Sequence, residues 1–293
     1  MTSIGKRIVL ATGTAALTAA LAAPGAQAAT PTFHGLDKQG NLVQVERVKQ
    51  TKRKANGKKK TKRFYAATDK VQLEFTPANT AGLVGIDERP ISGELYGIGA
   101  NSVVYRINPR TGVATGVAGP ATPAFTTTLE GSLFGVDFNP MSPGGGAIRI
   151  VSDTNYNNRV SPDTGATGAM TPDADLNGAV VTPKIVHAAY DNSALSTTQP
   201  TTVEEYVLDS ANDIIFVVNP PNNGTLTEPL DVSFDVTDVG GFDIFGNGLG
   251  YVATEDGSRS RLYSLDTETG KGKNLGQVRR TSTLTAIAIQ QEG

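Results

Sequence analysis

Apolar residues along this chain come in short runs, often alternating with small or polar residues, and the runs stop at clusters of Gly, Pro, Asn or Asp. Beyond residue 30 no stretch keeps a helical period, and Thr, Val, Ile and Gly are plentiful. This pattern predicts short strands joined by tight turns. The runs also repeat, with a period of roughly fifty residues. One unit reads Leu83-Val84-Gly85-Ile86-Asp87, Arg89-Pro90, Leu95-Tyr96-Gly97-Ile98-Gly99, Val104-Tyr105-Arg106-Ile107-Asn108-Pro109 and Thr111-Gly112. A second runs from Leu133-Phe134-Gly135-Val136-Asp137 through Asn139-Pro140 and Ile148-Arg149-Ile150 to Ser161-Pro162-Asp163-Thr164-Gly165. A third starts at Ile185-Val186-His187-Ala188-Ala189-Tyr190 and reaches Glu205-Tyr206-Val207-Leu208-Asp209. A fourth starts at Gly240-Gly241-Phe242-Asp243, passes Leu262-Tyr263-Ser264-Leu265-Asp266 and ends at Thr269-Gly270.

The chain ends share a fifth unit. Leu284–Ile289 reads as an opening strand with nothing after it, whereas Phe33–Asp37 and Leu42–Val45 read as second and third strands with nothing before them. Joining the two completes a sheet and closes a circle without exposed edges. The fold class expected is therefore all-β, a β-propeller of five four-stranded blades over residues 29–293, closed by pairing of its terminal strands. A β-sandwich also has regular short strands but needs no such repeat. A sixth blade stays open if Ile214–Val239 is more than a connection. Pro and Gly in Asn108–Gly112, Ser161–Gly165 and Asp266–Gly270 mark the turn between third and fourth strands.

Lys6 and Arg7 precede an apolar run, Ile8 to Ala23, and then Ala26-Gln27-Ala28. This is the three-part pattern of a secretory signal over 1–28. The run is short for a bilayer core of about 30 Å, so cleavage is expected rather than anchoring. The expected location is extracellular, cell-surface or periplasmic. With no cysteine in the chain, burial and hydrogen bonding must stabilise it without disulfides.

Charge is uneven. Ten of the 26 basic residues fall within Arg47–Arg63, a stretch without an acid, while the chain as a whole carries 28 acids. Asn56-Gly57 at its centre signals a hairpin turn. Lys52, Arg53, Lys54, Lys58, Lys59, Lys60, Lys62 and Arg63 are thus candidates for binding an anionic surface, either a cell-wall polymer or membrane headgroups. Nucleic acid is the less favoured partner for an exported chain. The plain alternative is a solvated hairpin whose lysines guard an edge.

Alternation puts Asp87, Asp137, His187 and Asp243 on the side of the opening strands that lines the channel, with Ile86, Val136, Ala188, Phe242 and Ile287 on the core side. Converging carboxylates could accept backbone N–H groups, bind a hard cation, or act as acid and base on a glycosidic bond. Recurrence in three units favours the structural use. Asp173, Asp175 and Asn177, followed by Gly178, match the first half of a calcium loop, but Lys184 stands where its bidentate Glu should be. No cofactor other than calcium is suggested. No nucleophile elbow, His-Glu-x-x-His pair or phosphate-binding loop is found.

Taken together, Gly85-Ile86-Asp87 with Arg89-Pro90, Gly135-Val136-Asp137-Phe138-Asn139-Pro140, Ile150-Val151-Ser152-Asp153, Asn219–Leu226 and Gly241-Phe242-Asp243-Ile244 resemble the bacterial secreted family catalogued as domain of unknown function 4394. The resemblance covers roughly residues 32–290 and implies a secreted, propeller-like domain with no assigned activity. The basic insertion at 47–63 departs from that pattern. The function expected is a non-enzymatic binding or scaffold module, with a hydrolase using the channel aspartates as the alternative.

Overall fold

In the computed structural model, residues 30–117, 119, 128–142, 146–163, 170–246 and 248–291 are described. The signal segment expected over 1–28, and Thr164-Gly165 of the second turn, lie outside them. The strands form five sheets. Blade 1 takes Leu284–Ile289, Phe33–Asp37, Asn41–Arg53 and Lys59–Gln72 from inside to outside. Blade 2 is Leu83–Glu88, Leu95–Gly99, Val104–Ile107 and Val113–Gly116; blade 3 is Phe134–Asn139, Ala147–Ser152, Asn157–Val160 and Met170–Pro172. Blade 4 is Ile185–Tyr190, Glu205–Asp209, Ile214–Val218 and Leu226–Asp231; blade 5 is Gly240–Phe245, Leu249–Asp256, Arg259–Asp266 and Gly272–Gln277.

The ring closes through its termini: Phe33, His34, Gly35 and Leu36 pair with Ile289, Ala288, Ile287 and Ala286. Ile214–Val239 supplies the two outer strands of blade 4, so the count is five blades. One strand has no counterpart in the repeat. Glu74–Thr76 adds in parallel to the outer strand of blade 2, with Phe75 opposite Ala114, and so covers an edge that would otherwise be free.

The core is divided among the gaps between blades. Among the described residues, five apolar clusters occupy five gaps. Ile287, Phe242, Ile86, Val136 and Ala188 each enter a different cluster. Equivalent positions of the repeat therefore do equivalent packing work. The glycine two residues before the aspartate position sets how closely the inner strands approach. A Cβ on Gly135 would stand 2.4 Å from the Ala188 amide nitrogen, and one on Gly241 2.5 Å from that of Ile287. Backbone cannot move aside there without parting the blades. Gly135→Ala should cost about 1–3 kcal/mol, as overpacking does; a thermal melt unchanged by the substitution would contradict the close approach. At the outer turns, Gly112 and Gly270 take φ of 78° and 68°, and their N–H groups close onto Asn108 O and Asp266 O, each at 2.9 Å.

Candidate functional site

The inner strands carry three carboxylates to one place on the axis. Asp87, Asp137 and Asp243 are buried, and one oxygen of each lies within 4.8 Å of the others. Their hydrogen bonds explain why three of five equivalent positions are acidic. Each aspartate reaches the next blade and accepts the N–H just after the equivalent position. Asp87 Oδ2 accepts Phe138 N at 2.8 Å, Asp137 Oδ2 accepts Tyr190 N at 2.8 Å, and Asp243 Oδ2 accepts Ile289 N at 2.5 Å. The two alanine positions, Ala189 and Ala288, cannot serve the N–H groups of Ile244 and Glu88. Asp243 Oδ1 and Asp87 Oδ1 accept these instead, at 2.6 and 2.8 Å. Three carboxylates thus satisfy five buried amides, where each unpaired amide would cost about 1–3 kcal/mol.

Burial pushes Asp87 up to about 7. Burial, with the neighbouring carboxylates adding to it, holds Asp137 and Asp243 well above the usual carboxylate range. With one oxygen of each carboxyl group within 4.8 Å of the others, the cluster shares protons rather than carrying three full charges. The axial space bordered by Gly135, His187 and Gly241 measures only about 20 Å³, room for a single water. His187 is buried, with Nε2 3.2 Å from Thr237 O, and burial pushes it down to about 4. His34 is buried against Glu88, Nε2 to Oε1 at 3.0 Å.

Asp173, Asp175 and Asn177 are not brought together as oxygen donors around one point. Asp173 Oδ2 accepts Arg149 Nη1 at 2.5 Å and Arg159 Nε at 2.7 Å, while Oδ1 accepts Arg159 Nη2 at 2.8 Å. A cation there would have to displace two guanidinium groups. The Asn177 side-chain amide donates to Asp175 O and Asn223 O, both at 2.7 Å, which fastens the loop to blade 4.

That Asp173 contact belongs to a network the repeat pattern does not announce. Arg149 is 1% exposed. Its Nε donates to Tyr190 Oη at 3.0 Å and pairs with Glu205 Oε2 at 3.2 Å, and its Nη1 donates to Asn157 Oδ1 at 2.8 Å. Tyr190 Oη in turn donates to Glu205 Oε2 at 2.8 Å. Since the Tyr190 N–H also serves Asp137, the channel carboxylates and the gap between blades 3 and 4 are joined through one residue. An arginine inside an apolar strand triplet, Ile148-Arg149-Ile150, is the one sequence signal of this network.

The third functional candidate is the hairpin at the rim of blade 1. Asn41–Arg53 and Lys59–Gln72 pair continuously to Arg53 opposite Lys59. A three-residue loop, Ala55–Gly57, closes it, with Gly57 at φ 78° and its N–H donating to Lys54 O at 2.9 Å. All ten basic side chains from Arg47 to Arg63 are exposed. None of them pairs with a carboxylate among the described residues. At its foot Arg279, from the segment after blade 5, stacks on Phe64 at 4.2 Å and extends the positive surface.

The family profile described as domain of unknown function DUF4394 matches residues 59–288. The chain belongs to this family. The DUF4394 match begins at Lys59, the first residue of the returning limb of the hairpin, so the outgoing limb from Arg47 to Arg53 precedes it. No curated protein matches this DUF4394 chain. Among solved structures, a Lactobacillus plantarum protein is similar at 18% identity and a TM-score of 0.40, over 88% of this chain and 70% of that one. The Dos1 propeller is similar at 10% identity and a TM-score of 0.42, over 83% and 60%. Kuenenia stuttgartiensis hydrazine synthase is similar at 13% identity and a TM-score of 0.38, over 68% of this chain and 51% of that one. The chain thus spans about half the length of that hydrazine synthase chain.

Proposed function

We propose that this protein is an exported, non-enzymatic binding or scaffold propeller, held at an anionic cell envelope by the hairpin of blade 1. The observation that carries this reading is the run of ten exposed basic side chains, unpaired among the described residues, on a two-stranded arm. Like charges directly across a strand pair are destabilising, so an arm built this way gains most when a polyanion neutralises it. A hydrolytic role would need a carboxylate oxygen open to substrate. The channel aspartates instead use five oxygens on backbone amides, and none of them lines the small axial space, which admits one water. Calcium binding at Asp173–Asn177 has less support, because Asp173 is already charge-paired.

The test is retention of the mature protein on isolated anionic envelopes across a salt series. Retention should fall steeply between 50 and 200 mM salt, by at least about tenfold, as counterion release requires. The variant carrying Lys58→Ser, Lys59→Ser and Lys60→Ser should elute earlier. Retention that ignores both salt and these substitutions would remove the reading.

A further inference from the structure

We infer that the hairpin engages its partner on both faces at once, and that the partner is a flexible linear polyphosphodiester of the poly(glycerol phosphate) kind rather than a flat bilayer. This rests on the anionic-surface reading above and narrows it. The register divides the ten charges evenly. Lys52 lies opposite Lys60, and Gln50 opposite Lys62, on one face; Lys49 lies opposite Arg63, and Arg53 opposite Lys59, on the other. Side chains alternate across a strand. Lys54 and Lys58, which flank the loop, complete five on the first face, and Arg47 completes five on the second. On the first face, same-limb charges recur about every 7 Å, two residues of extended chain; on the second, Thr51 and Thr61 widen the step from Lys49 to Arg53 and from Lys59 to Arg63 to about 14 Å. Neither face is packed against the ring from Lys49 to Arg63, where every residue is exposed.

A bilayer surface meets one face of such an arm and leaves five charges idle. Membrane-seated elements also carry an apolar side that enters the acyl boundary. Between Lys49 and Arg63 the largest apolar residue is Ala55, so the tip has nothing to insert. A flexible chain of phosphates can pass along both faces. From Lys49 to Arg63 the arm also lacks aromatic residues on which nucleic-acid bases could stack, so a base-free polymer satisfies all that this stretch offers. The strand pairing supports this use of a bare arm. Thr51 and Thr61 share a hydroxyl hydrogen bond at 2.9 Å midway between the like-charged pairs, and this holds the limbs in register without an apolar contact.

The experiment measures affinity for purified poly(glycerol phosphate), for phosphatidylglycerol vesicles and for mixed-sequence single-stranded DNA of equal phosphate count, across a salt series. Two variants are compared, each first shown to melt like the parent. One carries Lys52→Ser, Lys60→Ser and Lys62→Ser on the first face; the other carries Arg53→Ser, Lys59→Ser and Arg63→Ser on the second. Engagement of all ten charges predicts a log–log salt slope of about −7 for the polymer, and a loss of about 2 from that slope in either variant. A slope of about −3.5 with only one variant weakened would overturn two-faced binding while leaving the anionic-surface reading intact. Tighter binding to vesicles or to DNA than to the polymer would overturn the choice of partner. Binding to none of the three would end both readings.

Discussion

Asp137→Asn is expected to stabilise the protein above pH 7, whereas Asp87→Asn and Asp243→Asn should each destabilise it by about 1–3 kcal/mol. The difference follows from how many amides each carboxylate serves. Asp87 and Asp243 accept a backbone N–H on both oxygens. An asparagine there would turn an NH₂ group toward an N–H and leave that donor unpaired. Asp137 accepts one amide, from Tyr190, and meets Asp87 with its other side. An asparagine can keep the first bond and donate to Asp87 through its own NH₂, with one fewer buried carboxyl to neutralise.

The same cluster fixes the sign of the pH dependence. Folded, the three aspartates hold protons that the unfolded chain releases above pH about 4. Stability therefore declines as pH rises, by about 1.4 kcal/mol per pH unit for each retained proton, and for Asp87 the decline ends near 7. His187 opposes this below its unfolded value of 6.5, because burial keeps it neutral down to about 4. The range from pH 6.5 to 8.5 is free of the His187 contribution. Across it, Tm should fall in the parent protein and fall less in Asp137→Asn. Equal slopes would rule out proton sharing in the ring.

Arg149→Met should lower Tm by about 10 °C. Removing one partner of a buried ion pair costs about 3–5 kcal/mol, and a domain of this size shifts by roughly 2–4 °C per kcal/mol. The loss would strand Glu205, which is fully buried and has one oxygen, Oε1, without a hydrogen-bond partner among the described residues. Asp173 would keep Arg159. Adding Glu205→Gln to Arg149→Met should therefore recover part of the loss, because the uncompensated charge goes with it. No recovery in the double variant would show that Arg149 acts by filling space rather than by balancing charge.

The repeat, the turns and the terminal closure were legible because each is a local pattern written several times. Gly112 and Gly270 needed positive φ wherever the turn recurred, and Gly85-Ile86-Asp87 and its copies marked the same inner strand. Other features depend on register between distant segments, which spacing does not reveal. Asp173 reads as the head of a calcium loop until Arg149 and Arg159, on two neighbouring strands, are placed beside it. Arg149 draws on residues 157, 173, 190, 205 and 222, which are scattered over more than sixty residues of chain and share no spacing with one another. Alanine stands at 189 and 288, where the other three inner strands carry aspartate. Only the hydrogen bonds show that the amides an acid at 189 or 288 would have served, those of Ile244 and Glu88, are taken by Asp243 and Asp87. Glu74–Thr76 carries no signal in the sequence, because three residues are too few to show alternation and parallel pairing leaves no hairpin turn.

The pairing of Leu284–Ile289 with Phe33–Asp37 sets a condition on biogenesis. Phe33–Asp37 must wait for Leu284–Ile289 before its sheet is whole, so the ring stays ajar until that strand has been made. Products that stop short of residue 284 would leave two unsatisfied seams, at blade 1 and against blade 5, and become ready substrates for proteolysis. The circle thus doubles as a check that Leu284–Ile289 has been made.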